Sequence, residues 1–449
     1  MLNDLLIWVA LFVGLVFLII DRRRRVGALT LAYFLALSLG HVPGLLAYLD
    51  PELHADLLGD SEPTKVGFDV TLVGMTAFIV GAMAARILPQ RTTSVKAYQQ
   101  TVSPQIFSRL GWRMLMIGIV CSFGASSASA LVPSLTAITS VLGALLILGL
   151  WVQLAVAATT NSSRRTLLIL ACLPLLPLST LVTGGFIGFG TVWAVSTVSF
   201  LFVIARRRLW YYLAAPVVFF LGLSLFVTYA QQRSEIRDLI WYQESDLMER
   251  VERVSRLVTD FQLLDLSDQS HLEALDLRLN QNFLVGKGVM RHRAGEVELA
   301  FGATVPYWGL IPRAIWPEKP AVGGGGEVVS QFTGIDFAEG TSVGAGQVLE
   351  FYINFGIPGV LCGFVVLGFT LMRLDRRISR AVVMCNAPEL MRFALPGLAL
   401  LQPLGNLLEI LVAVVSAIIS ARLLIYSGFL TQKPKRQRSE QTMRVVERR

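Results

Sequence analysis

Between residues 278 and 319 the chain gathers Arg278, Arg291, Arg293, Arg313 and Lys319 around three large aromatics, Tyr307, Trp308 and Trp316. A guanidinium clamps phosphate oxygens through two parallel hydrogen bonds, which the point charge of an ammonium cannot do. Indole and phenol rings supply flat apolar faces of the kind sugar rings stack on. Together they fit an anionic group with a carbohydrate attached. The plainer reading of the same residues is an interfacial Trp/Tyr belt with loop arginines paired to local acids. Downstream, "GQVLEFYINFG" (346–356) sets Glu350 and Asn354 four residues apart, on one helical face. A carboxylate at that depth is costly unless paired or functional, and Arg313 or Lys319 is its expected partner. Glu350, Glu327 and His292 are the candidates for taking a proton from a hydroxyl. The four histidines, His41, His54, His271 and His292, have no metal-ligand spacing, so no metal and no cofactor is expected.

The elements that must hold these residues are greasy. Of 449 residues, 54% are hydrophobic and 16% charged, with mean hydropathy +0.61. Apolar stretches long enough to cross about 30 Å of hydrocarbon recur along the chain. The expected fold is all-α, a polytopic membrane bundle of about eleven transmembrane helices with one large, partly helical periplasmic loop. The spans read as 4–20, 27–48, 67–85, 114–132, 136–159, 166–182, 188–205, 210–230, 350–372, 387–403 and 407–427. The first is a retained span rather than a cleavable signal, because its charges, "DRRRR" (21–25), follow the apolar core. Lys and Arg concentrate at 21–25, 86–113, 164–165, 206–208, 373–380 and 433–449. The connections between them are nearly free of basic residues, which predicts an outer N-terminus and a cytoplasmic C-terminus.

That topology divides the chain into 1–230, an eight-span bundle; 231–349, the outer loop; 350–429, three more spans; and 430–449, a basic disordered tail. The loop carries seventeen acidic and eleven basic residues in a chain of net charge +8. Within it Leu247, Val251, Val254, Val258 and Phe261 repeat at helical spacing, predicting an amphipathic helix on the bilayer surface or on the bundle. A second apolar piece follows at Leu272–Leu284, and after Gly286 the pattern turns irregular. Gly359 and Gly363 suggest close helix packing. The four cysteines form no disulfide framework, and no Gly-Lys-Ser/Thr loop supports ATP-driven transport. No cytoplasmic segment is large enough for a nucleotide-sugar enzyme, and the basic excess belongs to membrane topology rather than nucleic acid.

"WGLIPRAIWPEKP" (308–320), followed by glycines and "GAGQVLEFYINFGIPGVLCGFVVLG" (344–368), resembles the signature region of bacterial oligosaccharide repeat-unit polymerases. These are the Wzy-type proteins, kin of the O-antigen ligases. The likeness covers roughly residues 304–368 and extends to the rest only as topology. It implies a GT-C-like glycosyltransferase of the bacterial inner membrane that joins oligosaccharide units carried on undecaprenyl diphosphate at the periplasmic face, in O-antigen, capsule or exopolysaccharide assembly. The resemblance further implies no metal, and arginines on the diphosphate. Arg313 and Lys319 match the signature; Arg278 and Arg291 match by lying in the preceding loop. Tyr307, Trp308, Trp316 and Asn354 are the glycan candidates. Membrane lipids, a flippase and a chain-length regulator are the implied partners. Arg, ten residues, Gly occurs twice (Arg291…Gly302 and Arg313…Gly324), whereas the ligases' His, ten residues, Gly fails because His292 leads to Ala303. Polymerase is therefore favoured over a ligase-like transferase. A lipid-linked sugar flippase or transporter, and a structural partner in an envelope assembly, are readings of other classes.

Overall fold

The computed structural model describes residues 1–19, 26–49, 61–89, 102–131, 141–205, 209–241, 245–302, 304, 311, 316, 318, 325–337 and 343–428. Its regular elements are sixteen α-helices and one 3-10 helix. In chain order these are α1 Leu2–Ile19, α2 Ala28–His41, the 3-10 turn Pro43–Tyr48, α3 Glu62–Ile87, α4 Pro104–Leu131, α5 Leu145–Thr159, α6 Ser163–Cys172, α7 Leu175–Gly184 and α8 Ile187–Ile204. Then come α9 Leu209–Trp241, α10 Leu247–Thr259, α11 Gln269–Leu279, α12 Gln281–Arg293, α13 Gly325–Thr333, α14 Gly346–Val383, α15 Ala387–Ala399 and α16 Leu407–Tyr426.

Among the described residues nine segments are long and apolar enough to cross a membrane. They coincide with the first seven predicted spans, the ninth and the eleventh. The eighth, 210–230, is the front of α9, which runs on as one 33-residue helix to Trp241. The tenth, 387–403, is not one spanning helix. α15 has 13 residues, about 20 Å of rise. Pro396 lies near its end, and irregular residues 400–406 carry the chain on. Their carbonyls are served by α14, where Gln347 donates from its backbone N–H to Pro403 (2.8 Å) and from its amide to Gln402 (3.3 Å). Irregular backbone is tolerated at such depth where protein buries and satisfies it.

α14 and α3 form the most extensive helix pair. Their glycines set the distance: a Cβ on Gly81 would fall on the carbonyl of Val365, and one on Gly368 on the carbonyl of Phe78. The predicted pair Gly359 and Gly363 does something else. Both face Phe351 of their own helix, because α14 breaks at Phe355 (φ −141°) and Gly356 (φ +63°, ψ −153°). In a straight helix residues 351 and 359 would be about 12 Å apart. Here an added Cβ at Gly359 would meet the Phe351 carbonyl. The predicted ninth span is therefore a short helix, 346–354, folded against a long one.

Described helices of the 231–349 segment are tied into the bundle. Of these, α12 packs on α3 as closely as any pair, because Gly67 of α3 faces the Asn282 carbonyl and Gly286 of α12 faces the Pro63 carbonyl. The start of α12 is tied to α2 by Asn282, whose Nδ2 donates to the His41 carbonyl (2.6 Å) while its Oδ1 lies 2.6 Å from His41 Nδ1. The irregular stretch expected after Gly286 is in fact helical to Arg293; tertiary burial of the glycines outweighs their poor helix propensity. We expect Gly286→Ala to cost about 1–3 kcal/mol through overpacking, seen as a lowered unfolding temperature in detergent. Gly295→Ala, with open space at its Cβ, should cost only the strain of its positive φ.

Candidate functional site

α9 and α10 form a helical hairpin whose far strand leads into the arginine site. Asp246 and Glu249 make a reciprocal capping box that starts α10 (Glu249 N–H to Asp246 Oδ1, 2.7 Å; Asp246 N–H to Glu249 Oε2, 3.1 Å). Arg253 then reaches back to Glu235 and to Gln232 Oε1 (3.0 Å) on α9. Of the predicted apolar stripe only Val254 is buried, joined by Leu257 against Ile236, Tyr229 and Leu181; Leu247, Val251 and Val258 stay exposed. The helix was legible, but the flank it buries is set by the Arg253 anchor on α9.

Beyond α10 the chain turns extended and runs back along α9. Gln262 donates its N–H to Thr228 Oγ1 (3.1 Å) and Leu264 donates to Ser224 Oγ (2.9 Å). Leu264 and Leu275 bury themselves on Leu223 and Val227. His271 fastens the turn, accepting the Asp265 N–H at Nδ1 (3.1 Å). α11 is thereby laid beside α9, and Arg278 comes within electrostatic reach of Arg233 and Arg237. Partial desolvation, then the like charge of Arg233 and to a lesser degree Arg237, holds Arg278 below its usual pKa, with Tyr229 acting in the opposite direction. A guanidinium remains charged under such shifts. Neither Arg233 nor Arg278 has a carboxylate partner among the described residues. Sequence reasoning misses Arg233 and Arg237 because the apolar run of span eight ends at 230. Their i, i+4 spacing on a continuing helix was the available signal.

A buried polar network lies at the break between α11 and α12. Asp276, nearly inaccessible, accepts from Asn280 Nδ2 (2.6 Å) and from Tyr48 Oη (3.1 Å), and Asn280 also donates to Thr64 (3.0 Å). Burial raises the Asp276 pKa above the ordinary 3.8, against the pull of those two donors.

The other expected site residues divide sharply. Arg291 is engaged, its Nε on Glu296 (2.8 Å) and its Nη1 on the Gln331 carbonyl (3.0 Å), so it clamps α12 to α13. His292 places Nδ1 3.2 Å from Tyr352 Oη, with the rings edge to face. Arg293, beside it, is exposed. Glu350 is sealed in the bundle and accepts the N–H of Leu407, the first residue of α16, at 2.5 Å. That backbone group is its partner among the described residues; Arg313 and Lys319, expected beside it, lie outside them. Asn354 is engaged in the fold: Oδ1 accepts from Gly302 (2.8 Å), and Nδ2 donates to Thr304 (2.6 Å) and to the Glu350 carbonyl (2.7 Å). Both amide hydrogens are committed, and Oδ1 keeps one lone pair. Glu327 is exposed in the first turn of α13, and Trp316 is partly exposed. Arg313, Lys319, Tyr307 and Trp308 lie outside the described residues.

No family model, no curated protein and no solved structure matches this chain.

The raised Asp276 pKa fixes the sign of a pH effect. The folded state binds this proton more tightly than the unfolded state, so stability falls as pH rises from 3.8 through the folded value. Asp276→Asn removes that dependence. The variant should gain stability relative to the parent at neutral pH, and the gap should close below about pH 4. Thermal unfolding of both proteins across that range checks it; a gap independent of pH would refute it.

Proposed function

We propose that this protein is a membrane glycosyltransferase that polymerises oligosaccharide units carried on a polyprenyl diphosphate, at the outer face of a bacterial inner membrane. The observation that carries the reading is the group formed by Arg233, Arg237 and Arg278. Like charges brought together without carboxylates on Arg233 or Arg278 raise the free energy of the empty site, and a doubly charged diphosphate relieves it. The signature-like residues 308–320 and 344–368 are the second support.

In the proposed reaction the hydroxyl of one lipid-linked unit attacks the anomeric carbon of another. The new glycosidic bond forms as the bond from anomeric carbon to phosphate oxygen breaks, and the lipid diphosphate leaves with the bonding electrons. Charge on the leaving diphosphate grows toward the transition state, so preorganised guanidinium donors stabilise that state more than the bound substrate. The hydroxyl proton goes to a base. Among the three candidates Glu350 is committed to the α16 N-terminus and Glu327 stands at an exposed helix start. We assign the base to His292: in the tautomer whose Nδ1–H donates to Tyr352 Oη, Nε2 is left to accept.

Purified protein given lipid-linked repeat units, without nucleotide, should build a ladder of longer glycans. A transporter gives no ladder, and a ligase requires a second acceptor. Arg278→Ala and Arg233→Ala should each lower the rate about 10²–10³-fold, with unchanged insertion and amount of protein. Normal chains from both would remove the cluster from the mechanism. Arg313→Ala is expected to abolish chain growth in the same assay, as the signature resemblance implies; normal growth would exclude Arg313.

A further inference from the structure

The opposite end of the bundle is rich in arginine. There α14 carries Arg373, Arg376, Arg377 and Arg380, and α4 carries Arg109. The nearby described acids are already consumed. Asp375 accepts from the backbone of Leu29 and Thr30 (both 2.9 Å) and from Thr30 Oγ1 (2.7 Å), and Glu389 pairs with Arg392 (2.8 Å). Arg376 is turned onto the carbonyls of Ala85 and Leu88 (2.7 and 2.9 Å). Arg380, half-buried in the last turns of α14, has no acid partner among the described residues.

The same end holds a partly open cavity of about 230 Å³, between the starts of α2 and α4 and the ends of α5, α8 and α14. Phe107, Ala155, Phe200, Ile204, Ile378 and Val382 make its wall mainly apolar. Asp375 also borders it, but its oxygens are spent on α2. An apolar cavity offers water too few partners to hold it and takes hydrocarbon instead. Ser379 and Val383, which flank Arg380 in the helix, lie on the cavity wall. A hydrocarbon slot beside Arg380, which has no acid partner among the described residues, is complementary to one kind of molecule, an amphiphile with an anionic head. Basic pockets between helices on the arginine-rich side are where acidic lipid headgroups bind.

We infer that this cavity receives an acyl chain of an anionic phospholipid, whose headgroup phosphate is held by Arg380 at the rim. The site is separate from the arginine group of α9 and α11 and does not depend on the reaction assigned there. It gives the bundle a bound lipid at the end remote from that group, bridging α4, α5, α8 and α14.

Full-length protein in nanodiscs of mixed phosphatidylcholine and phosphatidylglycerol, released for native mass spectrometry, tests it. The expected result is preferential retention of phosphatidylglycerol. Ala158→Phe, which fills the cavity, should abolish that preference, and Arg380→Gln should weaken it about five-fold. Excess inorganic phosphate should not displace the lipid, since phosphate alone leaves the slot empty. Equal retention of the two lipids, displacement by phosphate, or unchanged retention in Arg380→Gln would each overturn the inference. The last readout stands even if Ala158→Phe fails to fold.

Discussion

Helix ends inside an apolar bundle must be satisfied by protein, and α14 supplies most of that satisfaction. Asp375 takes the first N–H groups of α2, Arg376 takes the last carbonyls of α3, and Glu350 takes the first N–H of α16. Water would perform these tasks in a soluble protein. Where it is excluded, each orphaned group costs about 1–3 kcal/mol, and a charge left without its partner costs more. Three helices therefore have their positions along the bundle axis set by one. The break in α14 follows the same rule, since the carbonyls it frees on Ile353 and Asn354 accept from Ala300 and Phe301 (2.8 and 3.0 Å).

This makes the region before α14 part of the bundle rather than an appendage. Residues 300–302 cannot leave the break without exposing two carbonyls, and α12 cannot leave α3 without separating Gly67 and Gly286 from the backbones they touch. The break itself requires glycine, because φ +63° with ψ −153° at Gly356 is a region that side chains do not reach without strain. Tyr352 reaches His292 because these constraints hold the short helix 346–354 against α12. The arginines of α9 and α11 are held by a different device, the hydroxyls of Ser224 and Thr228, which satisfy the extended stretch between α10 and α11.

Spans could be read from composition because long apolar runs and arginine-rich ends are local properties of the chain. What could not be read depended on partners far away in sequence. Glu350 reads in the sequence as an acid at a membrane entry, and the backbone N–H it accepts among the described residues lies 57 positions on. Asn354 looked like a glycan contact, and its position opposite residues 302 and 304 appears only after folding. α15 reads as a span because its apolar run carries on through Leu400 and Leu401 before Gln402 and Pro403. Arg233 and Arg237 lay within reach of sequence reasoning, since nothing between 231 and 241 stops the helix of span eight.

The charges of this protein thus fall into two kinds. Asp375, Glu350, Arg376 and Arg291 have their hydrogen-bonding capacity committed to backbone or to a neighbouring acid, and their removal would damage the fold before any chemistry. Arg233 and Arg278 show the reverse pattern: they stand close to like charge, with no acid of their own among the described residues. Stability does not account for such an arrangement, because mutual repulsion opposes folding and a single glutamate nearby would relieve it. A ligand that brings its own negative charge accounts for it directly. In the reaction we propose, the cost of keeping the site unneutralised in the empty protein becomes part of the affinity for the diphosphate and, as charge builds on the departing oxygen, part of the rate.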